Sequence, residues 1–211
     1  MKKVKFIVFI CLFILLPLAY FNGFIRISDL TSEQESIAKK YGGVYVFDEK
    51  LEKEIDKREE ERRIMTKGLS GKKIAENRYA VDMTPVNEKL PRVLSNGKKY
   101  YVTTRDYGND FKKQAWIPER YSDLIVNYIG DDYNKFKPSM SFIYFYVENN
   151  EIVPISLSVT YTYKVAKFGL YGDEASGIRF KEIYYSYVLS GNRFEFINNK
   201  FEKVSTSDKD K

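Results

Sequence analysis

Residues 155–165 read Ile-Ser-Leu-Ser-Val-Thr-Tyr-Thr-Tyr-Lys-Val, and this stretch decides the fold. Aliphatic and aromatic side chains alternate with Ser, Thr and Lys without a break, and a period of two is that of a β-strand with one buried face. At about 3.3 Å per residue, the stretch predicts a strand of about 36 Å. We expect its Ser/Thr face to be solvated and its other face to meet a core.

Shorter strand-like runs surround this stretch. They are residues 141–148 before it, and 178–189, 193–197 and 201–204 after it, with turns rich in Asn and Gly between them. Short turns between sequential strands predict an antiparallel meander. Within 178–189 the apolar residues change from even to odd positions. A bulge near residues 181–182 would keep them all on one face of the sheet.

One amphipathic helix is predicted beside the strands. Over residues 118–129 apolar side chains recur at i, i+3, i+4, i+7 and i+8, with Pro118 suited to the start and Gly130 to the end. A helix laid on an antiparallel sheet buries its apolar stripe and one face of the sheet. The sequence therefore predicts an α+β domain over 67–204, followed by a disordered tail at 205–211.

Two further helices are predicted upstream, at residues 31–41 and 48–63. The first has Thr31 and Gln34 at the spacing of a capping box. In the second, 14 of 16 side chains are charged, and acid-first pairs at i, i+4 support an exposed helix. We interpret residues 27–66 as a charged helical stalk. A segment that docks on a partner by charge complementarity is the alternative.

The first 26 residues have the pattern of a membrane anchor. Three lysines precede an apolar run from Phe6 to Phe21, which is typical of a transmembrane anchor or of a secretory signal. We predict an uncleaved single-pass transmembrane helix at 1–26, with a cleaved signal and a buried core helix as the alternatives. The anchoring side chains would be Phe6, Ile10, Cys11, Leu15 and Phe21.

This anchor would set the location of the rest of the chain. Because basic residues stay on the cytoplasmic side of a membrane, we expect a cytoplasmic N-terminus and an extracytoplasmic, periplasmic domain in a bacterial cell envelope. Residues 1–26 hold four basic and no acidic residues, so the net charge of +6 leaves +2 for the remainder. That is too little for a nucleic-acid-binding face. The expected partners are the membrane and a protein of the envelope, and no nucleic acid.

The residue types exclude several chemistries. The chain has no His and one Cys, so it holds no Ser-His-Asp or Cys-His catalytic unit, no His-based zinc site and no intrachain disulfide. Neither a metal nor a cofactor is expected. The Gly-rich stretch 169–177 lacks the Gly-Lys-Ser/Thr ending of a phosphate loop, and we expect a hairpin loop there.

Two acidic pairs are the remaining candidates for chemistry. Asp131 and Asp132 follow the predicted amphipathic helix, and Asp173 and Glu174 lie in the Gly-rich loop. Two carboxyl groups about 5–10 Å apart can hydrolyse a glycoside when one is held protonated. Adjacent acids are also common in surface turns, so these four residues are weak candidates.

Basic and aromatic residues are interleaved at residues 98–101 (Lys-Lys-Tyr-Tyr) and 105–107 (Arg-Asp-Tyr). Aromatic rings beside basic groups can stack on sugars or bases. Tyrosines on strands, however, more often form cross-strand pairs at the edge of a core. Both interpretations remain open for these two runs.

A binding function is the hypothesis that these exclusions favour. We expect a membrane-anchored extracytoplasmic interaction protein that is not an enzyme, of which an immunity or inhibitor protein of the envelope is one specific form. The alternatives are an envelope enzyme that uses carboxylates, and a carrier whose sheet encloses a lipid or a sugar. The carrier hypothesis predicts an apolar cavity beneath the helix at 118–129.

Overall fold

The structure, a computed structural model, describes residues 2–21, 25–76, 78–172, 175 and 177–204. Its α-helices are α1 (Lys2–Ile10), α2 (Leu16–Phe21), α3 (Ser32–Tyr41), α4 (Glu49–Lys67), α5 (Thr84–Lys89), α6 (Thr104–Phe111), α7 (Glu119–Ile129) and α8 (Asp132–Lys135). Its strands are β1 (Ile25–Ser28), β2 (Gly43–Val46), β3 (Lys72–Ala75), β4 (Arg78–Ala80), β5 (Tyr100–Tyr101), β6 (Ser139–Glu148), β7 (Glu151–Thr160), β8 (Thr162–Tyr171), β9 (Arg179–Tyr187), β10 (Asn192–Ile197) and β11 (Lys200–Val204). The tail predicted at 205–211 lies outside the described residues.

Two predicted helices are confirmed together with their ends. Before α3, the Thr31 hydroxyl accepts a hydrogen bond from the Gln34 amide, and the Gln34 side chain accepts one from the Thr31 amide. α7 has Pro118 at its N-cap and Gly130 at its C-cap, where φ is 65°. Glycine adopts this left-handed conformation without a steric penalty, so the helix ends where the sequence indicated.

Six strands form the main sheet, in the order β11-β10-β2-β7-β6-β5. The hairpins β6–β7 and β10–β11 are antiparallel, as predicted. The sheet is not a simple meander, because β2 lies between β7 and β10 and runs parallel to β10. This pairing brings Tyr45 opposite Phe194. It joins two distant parts of the chain and has no local sequence signal.

Helices cover both faces of the main sheet. On one face, α3 and α7 pack over Tyr45, Leu157 and Phe194, which have almost no exposed surface. On the other face, Ile55 of α4 packs against Ile155. The α+β class is therefore confirmed, with the main sheet as the middle of three layers.

A buried ion pair joins α4 to the main sheet. Glu52 of α4 pairs with Arg193 of β10, and Arg193 Nε also donates to Glu195 at 2.8 Å. Glu52 and Arg193 are both buried. Ser156, on the same face of the sheet, is fully buried as well. The solvated Ser/Thr face predicted for this strand is therefore wrong at Ser156.

The single long strand predicted over 155–165 breaks at Tyr161. β7 ends at Thr160 in the main sheet, and β8 begins at Thr162 in a second, three-stranded sheet of order β1-β8-β9. The Tyr161 ring is buried in the main core, 5.1 Å from the Phe136 ring between centroids. The buried Tyr161 ring thus fixes the position at which the chain leaves the main sheet. We call β1, β8 and β9 the arm.

The arm is regular where the sequence predicted a bulge. Its register runs without a shift from the pair Thr162–Tyr187 to the pair Phe168–Lys181, and it shifts only beyond Phe168. The bulge predicted near 181–182 is therefore wrong. When apolar residues shift from even to odd positions along a strand, a bulge is needed only if both sets face the same core. β9 is exposed along most of its length, so its two sets can lie on opposite faces of the sheet.

The predicted membrane anchor is not borne out. Residues 2–21 form α1 of 9 residues, a π-helical turn at Cys11–Leu15 and α2 of 6 residues. A spanning α-helix needs about 20 predominantly apolar residues. Within the described ranges, no helix is long and apolar enough to cross a membrane. The transmembrane helix was therefore wrong, and the single-pass, extracytoplasmic placement in a bacterial envelope loses its support.

The side chains assigned to the anchor do not share one environment. Phe6, Cys11 and Leu15 are exposed, and Ile10 is half-buried. Phe21 ends α2, and α2 contacts β8 of the arm. Apolar composition alone predicted one uninterrupted helix, and it gave no sign of the π-helical turn that divides the segment.

Candidate binding sites

One face of the arm is apolar and exposed. The register pairs Ile27 with Ala166, Ala166 with Ile183 and Lys164 with Tyr185, and paired residues share a face of the sheet. We define the arm face as Ile27, Lys164, Ala166, Lys181, Ile183, Tyr185 and Tyr187. The exposed fractions of Ile27, Ile183, Tyr185 and Tyr187 are 57%, 57%, 69% and 58%. A row of side chains that would suit a core thus lies in solvent.

The charged side chains of the arm face itself are lysines, and the Asp29 carboxylate lies at its border, where it accepts a hydrogen bond from the Lys164 amide at 2.8 Å. The two lysines are Lys164 and Lys181, and Lys164 Nζ lies 5.9 Å from the centroid of the Tyr185 ring. Glu182 is the one acidic residue in the sequences of β1, β8 and β9. The register pairs Glu182 with Lys167 on the opposite face. The arm face therefore complements an apolar surface bordered by carboxylates.

A polar cleft of about 430 Å³ lies beside β5 and α6. Arg92 lines it and forms a fork with Glu59, with nitrogen–oxygen distances of 2.9 and 3.0 Å. Arg92 also donates to Asp106 at 3.1 Å, and the Tyr100 hydroxyl donates to Glu59 at 2.7 Å. These charged groups of the cleft are therefore already paired within the protein.

Two carboxyl groups, Asp110 in the lining of this cleft and Glu59 behind Arg92, have lowered pKa values. Burial alone would raise the pKa of Glu59, but hydrogen bonds from Arg92 and Tyr100 outweigh burial and hold that pKa below its usual value. The hydrogen bond from Lys99 does the same for the pKa of Asp110. Burial raises the pKa of the Tyr100 hydroxyl. Groups shifted away from neutrality keep one protonation state near neutral pH, which suits polar binding better than proton transfer.

The polar cleft brings together the two basic–aromatic runs at 98–101 and 105–107. The rings of Tyr100, Tyr101 and Tyr107 are buried, and they pack in two core clusters. A buried ring cannot stack on a ligand, so these tyrosines are core residues. Of the two interpretations that the sequence left open, the core role therefore applies to these three rings, and the approach of the two runs to one cleft was not predicted.

A second cleft, of about 530 Å³, lies beside Trp116. The chain has one Trp, and its side chain is 68% exposed. Its neighbours point inward, because Ala115 is buried and Ile117 packs on the main core. Buried Tyr107 and Ile152 also line the cleft. Its polar lining consists of Lys113, Gln114, Arg120, Asn150 and Glu151.

The first predicted acidic pair lies at the start of α8. Asp131 is exposed, whereas Asp132 accepts hydrogen bonds from the Tyr41 hydroxyl at 3.2 Å and from Lys135 Nζ at 3.1 Å. The Lys135 hydrogen bond holds the pKa of Asp132 below its usual value. A glycosidase acid must instead be held protonated. Asp132 therefore serves as an ion-pair centre that links α3 and α8.

The second predicted acidic pair, Asp173 and Glu174, lies outside the described residues. Over the described part of the chain, no group of three or more Cys, Asp or Glu side chains is arranged to hold a metal ion. Sequence reasoning missed both Trp116 and the exposure of the arm face. A single Trp shortly after the polar run Lys112-Lys113-Gln114 was a usable signal for the first. The apolar row of β9 was recognised but assigned to a core.

No protein-family model matches the chain. Neither curated proteins nor solved structures show a significant similarity to it. The function is therefore argued from the arm face and the two clefts.

Proposed function

We propose that this protein is an interaction module that binds another protein through the arm face. The observation that carries this proposal is the exposure of Ile27, Ile183, Tyr185 and Tyr187 on one side of a regular sheet. A contiguous exposed apolar patch is typical of a protein–protein contact, and tyrosines are frequent among its energetically dominant residues. An immunity or inhibitor protein, which binds and blocks another protein, is the specific form that suits such a surface.

The partner surface should be apolar at its centre and acidic at its border. Lys164 and Lys181 are the charged side chains of the arm face, and Glu182 faces the other way. A partner with carboxylates around an apolar patch would gain both apolar burial and favourable charge pairing. Since exposed charges mainly steer association, the association rate should fall as salt is added.

The packing favours binding over the carrier hypothesis. Beneath α7 the rings of Tyr45, Tyr128 and Phe194 contact one another, with centroids 4.5, 5.4 and 6.1 Å apart. These rings occupy the space that an apolar cavity beneath this helix would need. The lowered pKa values of Glu59 and Asp110 likewise give no support to carboxylate catalysis in the polar cleft.

The test compares single charged substitutions on and off the arm face. Tagged full-length protein is purified from its native cells as wild type, Ile183→Asp and Ile64→Asp, and co-purifying proteins are quantified. Ile64 is the matched control because it is 59% exposed on α4. We expect one protein to co-purify with wild type and Ile64→Asp and to fall at least about tenfold with Ile183→Asp, which is about 1.4 kcal/mol.

The purified partner then gives the decisive measurement. Its affinity should fall in Lys181→Glu as well, and its association rate should depend on salt in wild type more than in Lys181→Glu. Equal binding by wild type and Ile183→Asp would contradict the proposal. Circular dichroism of each variant checks that the fold is retained.

A second candidate function is the binding of a neutral saccharide in the cleft beside Trp116. The exposed indole offers a flat apolar platform, and the amides of Gln114 and Asn150 offer hydrogen bonds. Arg120 is paired with Glu151 at 3.2 Å, so these two charges offset each other, and Lys113 leaves the lining with one net positive charge.

Trp116 itself reports on this second candidate, since it is the single Trp of the chain. Maltotriose, cellotriose and triacetylchitotriose are titrated while the indole emission is followed. We expect one of them to shift the emission in wild type and in the exposed-tyrosine control Tyr185→Ala. Calorimetry of the same sugar with Trp116→Ala should show no binding. An emission unchanged by all three sugars would count against the cleft as a saccharide site.

A further inference from the structure

Within the part of the chain that the structure describes, no strand pairs with the outer edge of β9, the last strand of the arm. β9 is last in the strand order β1-β8-β9, and eight of its nine residues are exposed. The Lys164 amide donates to the Asp29 carboxylate, and the Lys164 carbonyl accepts from the Asp29 amide, so both backbone groups of Lys164 point away from β9. Lys164 and Tyr185 are paired in the register. They therefore form a non-hydrogen-bonded pair, and the Tyr185 backbone groups point away from β8.

The backbone amides and carbonyls of alternate residues of β9 point in the same direction. Lys181, Ile183 and Tyr187 share the parity of Tyr185, so their amides and carbonyls also point to the open edge. Val188 has the opposite parity, and its amide donates to the Tyr161 carbonyl, away from the outer edge, as this alternation requires. The residues that form the arm face on β9 thus also supply the backbone groups of its outer edge. A long regular edge of this kind is a template for another strand.

A second copy of the chain fits this edge by symmetry. In a two-fold antiparallel pairing, opposed residues must have the same parity, and the arm faces of both copies then point to the same side. The midpoint of β9 (Arg179–Tyr187) is Ile183. Placing Ile183 opposite its own copy pairs the whole strand, which gives the longest overlap that any register allows.

Charge pairing is compatible with this register and disfavours two of the alternatives. With Ile183 on the two-fold axis, Lys181 lies opposite Tyr185 and Glu182 lies opposite Tyr184, so no like charges meet. Lys181 would approach the Tyr185 ring, a favourable cation–π arrangement. Moving the axis to Glu182 or to Lys181 places two like charges directly opposite each other, which destabilises a sheet.

We propose that two copies of this protein pair through β9, antiparallel and centred on Ile183, to form one six-stranded sheet from two arms. The pairing closes the open edge of each copy. It leaves both arm faces exposed on one side of the joint sheet. It therefore does not depend on the partner proposed above, and it doubles the surface that such a partner would meet.

Backbone and side-chain contributions are separated by two substitutions at one position. Tyr185→Pro removes the outward amide while sparing the hydrogen bonds to β8, and proline is tolerated in strands at such edge positions. Tyr185→Ala removes the ring and keeps the amide. Sedimentation of the full chain over a range of concentrations should give a wild-type dimer. We expect Tyr185→Pro to dimerise at least about tenfold more weakly than Tyr185→Ala.

Cysteine cross-linking tests the register in a Cys11→Ser background. Ile183→Cys faces its own copy and should form a disulfide-linked dimer under mild oxidation. Tyr185→Cys alone should not, since residues four positions out of register are about 13 Å apart, beyond the reach of a disulfide. Mixing Tyr185→Cys with Lys181→Cys should restore the cross-link. A monomer at every concentration, or equal cross-linking at 183 and at 185 alone, would overturn the proposal.

Discussion

The main sheet and the arm are built from similar sequence and end in opposite environments. Leu157 in β7 and Tyr185 in β9 both belong to rows of alternating apolar residues, yet Leu157 is fully buried and Tyr185 is 69% exposed. Helices cover both faces of the main sheet, whereas the arm face is open at Ile183, Tyr185 and Tyr187. An alternating pattern therefore specifies a strand and its two faces, and distant elements decide whether a face becomes a core. We infer that stability resides in the main sheet and binding in the arm.

The largest effect that would test this division is expected at the ion pair between α4 and the main sheet. Arg193→Met leaves Glu52 buried without its cation, and loss of one member of a buried pair costs about 3–5 kcal/mol. Urea unfolding should show this decrease in the free energy of unfolding. Glu182→Gln, which removes the one acidic residue of the arm strands, should change it by less than about 0.5 kcal/mol. Similar losses of stability in both variants would contradict the inference that stability resides in the main sheet.

The next largest difference in stability between the main sheet and the arm is expected when apolar side chains are truncated. Leu157→Ala removes a fully buried side chain, and such changes cost about 2–5 kcal/mol because a cavity remains. Ile183→Ala, in the exposed row of the arm, should cost less than about 0.5 kcal/mol. Unfolding followed by circular dichroism measures both. A large cost at Ile183 would mean that another surface covers the arm face in solution.

A smaller effect is expected from acid. The pKa of Glu59 is lowered in the folded state, because hydrogen bonds from Arg92 and Tyr100 outweigh burial, so the folded protein binds the proton less readily than the unfolded chain. The stability that Glu59 provides is therefore present above the usual value of 4.5 and is lost as pH falls through the folded pKa. The difference in stability between wild type and Glu59→Gln should shrink below that pH.

The pH experiment has a control in the arm. Ile183→Ala, which removes no titratable group, should leave the shape of the pH profile of stability unchanged. A stability difference for Glu59→Gln that stays constant down to acidic pH would contradict the Glu59–Arg92 pairing as its source. Urea titrations at a series of pH values provide both profiles.

Local signals account for the correct sequence predictions. The capping box at Thr31 and the apolar stripe that ends at Gly130 lie within the helices that they specify, and both helices are confirmed. The pairing of Tyr45 with Phe194 depends on packing between distant segments, so no neighbouring residues could indicate it. The division of residues 2–21 into three helical pieces depends on backbone hydrogen bonding that apolar composition does not encode.

The binding sites were less predictable than the fold. The apolar row of β9 was evident in the sequence, but the same pattern fits a core strand, and it was assigned to one. The Glu59–Arg92 pair links α4 to the segment before β5, and two charges so far apart in sequence show no pattern. Trp116 was the one site residue with a local signal, because it is the single Trp of the chain and follows the polar run Lys112-Lys113-Gln114.

The smallest expected effect concerns single amide protons and leaves global stability unchanged. In β9 the amides of Ile183 and Tyr185 point to the open edge, whereas those of Tyr184 and Ser186 point to β8. In dilute protein, hydrogen exchange should be fast at Ile183 and Tyr185 and slower at Tyr184. Leu157, paired with β2 and with β6, should exchange only through global unfolding. Raising the concentration should protect Ile183 and Tyr185 if β9 pairs with a second copy, and a pattern without alternation in dilute protein would show that the edge is already occupied.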